Sequence, residues 1–142
     1  MTEQTVITME VIGEPSAQMR HRTVNRGKFH SAYDPSSDIK KDFLLTVQDK
    51  APEIPIKGPV MVTVIFHFGR PKGHYRTGKY SAMLRDDCPE WHTSRKDIDN
   101  LQKLIFDALN GIFWKDDSQI CWVEAQKKYS DRPRTNLVIR TL

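Results

Sequence analysis

Cysteine is scarce in this 142-residue sequence: Cys88 and Cys121 are the only two, and they do not form a Cys-x-x-Cys pair. No disulfide framework is expected, which fits a reducing compartment. A structural zinc site is disfavoured as well, since Cys88 with His92 supplies only half of a tetrahedral ligand set. Long apolar runs are missing too. No stretch approaches the roughly 20 apolar residues of a membrane span, and Met1-Thr2-Glu3-Gln4 lacks the basic start of a secretory leader. The chain is therefore expected to act in the cytoplasm without a membrane partner. Internal repeats and low-complexity tracts are also lacking. What remains is 38% hydrophobic and 28% charged, the composition of a soluble globular protein, with length enough for a single domain spanning residues 1–142.

The formal net charge of +4 is mild, but the basic residues are clustered. Between Arg70 and Lys96 stand Arg70, Lys72, His74, Arg76, Lys79, Arg85, Arg95 and Lys96, interleaved with Tyr75, Tyr80 and Trp91. An earlier group holds Arg20, His21, Arg22, Arg26 and Lys28, followed by Phe29 and Tyr33. Cations mixed with aromatics can neutralise phosphates and stack on unpaired bases. Solvated loops account for the same composition.

Periodicity outlines the elements. Thr5–Ile12 is rich in β-branched residues and stops at Gly13 and Pro15, which predicts a strand. Ser36–Ala51 predicts a helix, with Ser36 or Ser37 as its cap and Ile39, Phe43, Leu44 and Val47 on one side. Val60–Phe68 alternates with apolar residues on both faces, as a central strand does. His67 within it is expected to be an ordinary sheet-face histidine. Residues 69–95 have no period and read as a long loop. From Ile98, the residues Leu101, Leu104, Ile105, Ala108 and Leu109 make the strongest helical stripe, ended by Gly111. Strands are predicted over Gln119–Lys127 and Asn136–Thr141. The expected fold is α/β in the α+β sense, a mixed sheet of about four strands with two main helices packed on it.

On that last helix, Asp99, Lys103 and Asp107 are spaced by four and share the polar face, with Asp97 just ahead. Any one of them has a structural explanation. Asp97 or Asp99 can cap the helix, and Asp99 with Lys103 can be a surface ion pair. A second acidic group, Asp116-Asp117, follows a short hydrophobic connection. Several carboxylates in a basic chain repel phosphate and one another unless a hard cation such as Mg²⁺ lies among them.

Three motifs in order, Asp97-Ile98-Asp99-Asn100-Leu101-Gln102-Lys103, Phe106-Asp107-Ala108-Leu109-Asn110-Gly111 and Trp114-Lys115-Asp116-Asp117-Ser118-Gln119-Ile120, resemble the signature of the RusA family of Holliday junction resolvases. The resemblance extends to the Pro-containing basic turn Pro15–Arg22 and covers most of the chain. It implies a homodimeric, Mg²⁺-dependent endodeoxyribonuclease, with Mn²⁺ as a substitute and no small-molecule cofactor. Its substrate would be a four-way junction met during recombination and repair in a bacterial or phage-infected cell, near the nucleoid. By motif, Asp97, Asp99 and Asp117 map onto the metal-binding catalytic aspartates, with Asp116 as a further ligand candidate, and Lys103 onto the essential lysine. Arg20, Arg22, Arg70, Lys72, Arg76, Lys79, Arg95 and Lys96 are the expected DNA contacts. Two positions depart from the pattern: many relatives have proline where Lys96 stands and lysine where Gln18 stands, which bears on the helix start and on one phosphate contact. Phe113 and Trp114 read as ordinary core, with a dimer interface as the alternative. A nuclease for other branched or flap substrates, and a non-catalytic DNA-binding protein, are the competing functions.

Overall fold

The computed structural model describes residues 4–27 and 29–142. Four strands form one mixed sheet: β1 (Val6–Ile12), β4 (Val60–Gly69), β5 (Ile120–Ser130) and β6 (Arg134–Thr141), in the spatial order β1-β6-β4-β5. β6 is antiparallel to both β1 and β4, whereas β4 and β5 run parallel. A parallel pair cannot be joined by a tight turn. The crossover here is the long loop after β4 followed by helix α2 (Ile98–Leu109), while α1 (Ser37–Val47) lies beside α2. The four strands and two helices agree with the pattern read from the sequence.

Alternation decides which way each face turns. Val60, Val62, Val64, Phe66 and Phe68 of β4 are buried beneath the helices, and Met61, Thr63, Ile65 and His67 on the other face are only half-buried. His67 is thus a sheet-face residue, 3.4 Å from the Asn136 amide. Leu101, Leu104, Ile105, Ala108 and Leu109 bury the inner stripe of α2. Phe113 and Trp114, both 0% exposed, close the bottom of this core after Gly111 reverses the chain at φ 81°. The interface alternative for these two aromatics is thereby set aside, because no surface remains to offer a partner.

Three local features differ from expectation. β2 (Arg22–Arg26) and β3 (Phe29–Tyr33) form a separate antiparallel hairpin that polar, short segments do not announce. Ser36 does not cap α1; its hydroxyl accepts the Met19 N–H instead, at 2.9 Å. The loop after β4 is not structureless. It holds short helical turns at Lys72–His74 and Gly78–Tyr80, and Glu90–His92 runs alongside the edge of β5, with His92 N–H donating to Lys127 O and Tyr129 N–H to Glu90 O.

Candidate active site at the start of the second helix

The chain reaches α2 through Asp97, which is still extended at φ −71° and ψ 142°. Its carboxylate makes no capping bond. Among the described residues, neither Asp97, Asp99 nor Lys103 takes part in an ion pair. The two structural explanations for these residues, a cap and an Asp99–Lys103 pair, therefore lack the bonds they require. Two carboxylates and an ammonium are left facing solvent at one end of a helix.

Two depressions meet there. One, about 420 Å³, is lined by Gln18, Met19, Arg20, His21, Asp99, Asn100 and Lys103. The other, about 520 Å³, lies across the helix start between Asp97, Asp99, Trp91, His92 and the later residues of β5, Ala125 to Lys127. Asp99 lines both. The segment forming the first wall is tied down from below: Gln18 N–H donates to Asn100 O at 2.9 Å, and the Gln18 amide donates to Asp34 Oδ1 at 2.8 Å.

Gln18 is buried with its amide turned to Asp34, so the side chain at this position faces the protein and not a phosphate at the surface. Its Oε1 has no hydrogen-bond partner among the described residues. Asp34 also accepts from Lys40 Nζ at 2.6 Å and from Ser36 N–H, and these bonds hold its carboxyl far below the usual range. Lys40 spans to Asp107 as well, at 3.2 Å. Although burial works against its charge, the two carboxylates keep the Lys40 pKa raised. Asp107 accordingly serves α1–α2 packing, although it shares a helical face with Asp99 and Lys103.

Asp117 does not join Asp97 and Asp99 within the chain. Helix α2 runs antiparallel to β5, and its 12 residues span about 18 Å. Asp97 and Asp99 sit beside the later part of β5, whereas Asp117 lies just before its first residue. There Asp117 Oδ1 accepts Trp114 Nε1–H at 2.7 Å and Asp107 is its charged neighbour. Asp116 is occupied locally by Ser118, whose hydroxyl and N–H together lower its pKa. Among the described residues no three His, Cys, Asp or Glu side chains gather around a common metal position. Asp97 and Asp99 nevertheless suit a hard cation, because Mg²⁺ is commonly held by one or two carboxylates and completes its shell with water and substrate phosphate.

Burial pushes the Asp117 carboxyl up, with Asp107 and Asp116 adding to the shift against the opposing Trp114 bond. A raised carboxyl pKa in the folded state favours the protonated form. The associated stability is present at acid pH and lost as pH rises through the raised value. Asp117→Asn keeps an acceptor for Trp114 and removes the charge. It should raise the melting temperature at pH 7 by the equivalent of under about 1 kcal/mol, a gain that fades as pH falls toward the ordinary carboxyl value of 3.8. Equal melting curves at both pH values would show that the charge costs nothing there.

The expected DNA contacts are dispersed. Arg20 and Arg95 are exposed near the helix start, and Lys72 and Lys79 on the loop, with Lys79 over the Tyr80 ring. Others are partly engaged: Arg70 donates to Pro89 O, Arg76 pairs with Asp86, and Lys96 Nζ donates to Pro15 O at 2.6 Å. The peptide bond between Arg95 and Lys96 is cis. Lys28 and the side chains of Arg22 and Arg26 lie outside the described residues. Sequence reading gave His92 no role beyond an incomplete zinc pair. In the fold it stacks on Phe68, with ring centroids 3.8 Å apart, and its burial and Lys127 depress its pKa.

Comparison with known proteins agrees with the motif resemblance. The family model described as endodeoxyribonuclease RusA matches residues 13–140. An uncharacterized protein of Bacillus subtilis (strain 168), YqaN, is 34% identical over 136 residues, covering 94% of this chain and 95% of that protein. The crossover junction endodeoxyribonuclease rusA of Lactococcus phage r1t is 41% identical over 61 residues, 42% of this chain and 47% of the phage protein.

Proposed function

The chain belongs to the RusA endodeoxyribonuclease family, and on that footing we propose that it resolves four-way (Holliday) DNA junctions by paired, symmetric, Mg²⁺-dependent phosphodiester hydrolysis. The observation that carries the reading is the free pair Asp97 and Asp99 with Lys103 one turn along, set between two depressions that offer cations and aromatic side chains. Asp97 and Asp99 hold the metal. When bound, Mg²⁺, or Mn²⁺ in its place, supplies water activation and withdraws charge from the scissile phosphate. Lys103 sits one turn from Asp99, where its ammonium neutralises charge developing on the phosphate or the leaving oxygen. Arg20 and Arg95, with Lys72 and Lys79 of the loop, bind the phosphate backbone, which positions the duplex arms without reading sequence. No helix of the described residues is long and apolar enough to cross a membrane, and we place the protein in the cytoplasm, on recombining or repairing DNA.

Paired cuts on a two-fold symmetric junction call for two sites on a C₂ homodimer. With Phe113 and Trp114 buried, Trp122 and Val123 are exposed apolar side chains on β5 that a second copy would cover. β5 is an edge strand, covered only over its later residues by Glu90–His92. Antiparallel pairing over the uncovered residues of two such edges would set the start of one β5, which Asp117 precedes, beside the middle of the other, around Ala125 and Gln126, where Asp97 and Asp99 lie. The separation of Asp117 from the other aspartates within one chain favours this arrangement, in which each site is completed by the partner.

The decisive experiment is a nicking assay with a synthetic four-way junction, a flap and a linear duplex, with and without Mg²⁺. Paired symmetric cuts in the junction that require the metal are expected. Equal rates on the flap would widen the substrate to branched DNA in general, and no cleavage of any DNA would overturn the nuclease reading.

A further inference from the structure

Trp91 is 51% exposed, yet it stands on a rigid support. The backbone on either side of it is bonded to β5: His92 N–H to Lys127 O at 3.1 Å, and Tyr129 N–H to Glu90 O at 2.9 Å. The next side chain, His92, is only 8% exposed and is clamped between Phe68 and Tyr129. Lys128 Nζ lies 4.9 Å from the centroid of the Trp91 ring and pairs with Glu90 at 3.7 Å. The indole is thus presented to solvent from a fixed backbone, with about half of its surface open. It borders the depression that Asp97 and Asp99 share.

The depression on the opposite side of the helix start differs in chemistry. Among the described residues that line it, Arg20 and Lys103 are cations, Asn100 offers an amide, and the ring is the imidazole of His21. Asp99 lies on the ridge between the two. A DNA strand also has two chemistries, an anionic backbone and flat bases. We propose that the cut strand crosses the start of α2 at Asp99, its backbone following Arg20 and His21 on one side and the base next to the scissile phosphate stacking on Trp91 on the other.

The inference rests on the nuclease reading and deepens it, making Trp91 the residue that determines which nucleotide is accepted beside the cut. Every base has a π-face, but purines and pyrimidines differ in stacking area, so an aromatic platform generates a modest preference and not an absolute code. The base must leave its own stack to reach Trp91, which is easiest at the open centre of a branched structure and costs more in continuous duplex. Branch selectivity and local sequence preference would then share one side chain.

The test uses the full chain carrying Asp99→Asn, which leaves the strand uncut, bound to a four-way junction with 2-aminopurine placed in turn on each side of the cleavage point. Quenching is expected at one of the two positions, lost in Asp99→Asn/Trp91→Ala and retained in Asp99→Asn/Trp91→Phe. With Asp99 intact, Trp91→Ala should raise the KM for the preferred junction roughly tenfold, the effect of losing one stacked base, while kcat changes little. Cleavage of junctions randomised beside the cut should spread over more sequences. Unchanged quenching together with an unchanged cleavage spectrum would overturn the assignment, as would a change in molecular mass of Trp91→Ala by light scattering, which would make Trp91 an interface residue. A wild-type protein that cuts no branched DNA would instead fail the nuclease reading, a result separable from the stacking signal because the latter is read on uncut DNA.

Discussion

Asp99→Asn is expected to lose junction cleavage by on the order of 10²–10³-fold or more, the scale on which single groups stabilising a transition-state charge act, while binding the same junction as tightly as the wild type or more tightly. The two halves of the result have different causes. Asparagine keeps the size and one carbonyl oxygen, so the helix start is not disturbed, and among the described residues Asp99 makes no ion pair whose loss would unfold anything. What disappears is a negative ligand for a hard cation, and with it a repulsion toward phosphate that opposes binding when the metal is absent. Gel-shift titration in chelator beside single-turnover cleavage in Mg²⁺ separates the two. Cleavage near the wild-type rate would remove Asp99 from the metal centre, and weakened binding with weakened cleavage would point to a folding defect.

The second large effect is a recovery. Asp99→Asn and Asp117→Asn are each expected to be inactive as homodimers. If Asp117 completes its partner's site, co-expressing the two with different tags gives roughly half of the dimers as heterodimers, each with one site carrying both substitutions and one site carrying neither. Such dimers should nick a junction in one strand without the paired second cut. If each chain builds its site alone, every site in the heterodimer carries one substitution and no nicking returns. The expectation follows from the chain path: Asp97 stands just before the first residue of α2, whereas Asp117 comes after the helix has ended and lies near Asp107 of its last turns. Purified heterodimers that remain inactive would place Asp117 in a structural role, as the acceptor for Trp114 Nε1–H.

Much of the scaffold was legible without coordinates. The 2-residue alternation of Val60–Phe68 and the 3.6-residue stripe of Leu101, Leu104, Ile105, Ala108 and Leu109 are consequences of backbone geometry acting on neighbouring residues, and both elements appear where the pattern puts them. β6 begins at Arg134, two residues before the predicted Asn136, because pairing with β1 and β4 on both sides extends it beyond its apolar segment. The hairpin of β2 and β3 is not legible in the sequence for the opposite reason. Its short polar strands carry no apolar rhythm, and cross-strand bonding defines them.

At the site, the spacing of Asp97, Asp99 and Lys103 along one helix start belonged to the sequence alone, since residues four apart meet wherever the helix is placed. Helical phase could not say which of them had partners elsewhere. Only the tertiary structure turned Asp107 toward Lys40 of α1, buried Gln18 against Asp34, and left Asp97, Asp99 and Lys103 without an ion pair among the described residues. It also set Asp117 against Trp114 and near Asp107, and brought Trp91 to the edge of the carboxylates from a loop without any period. Local geometry is fixed by residues a few positions apart, whereas these placements depend on strand order, helix direction and contacts between residues distant in the chain.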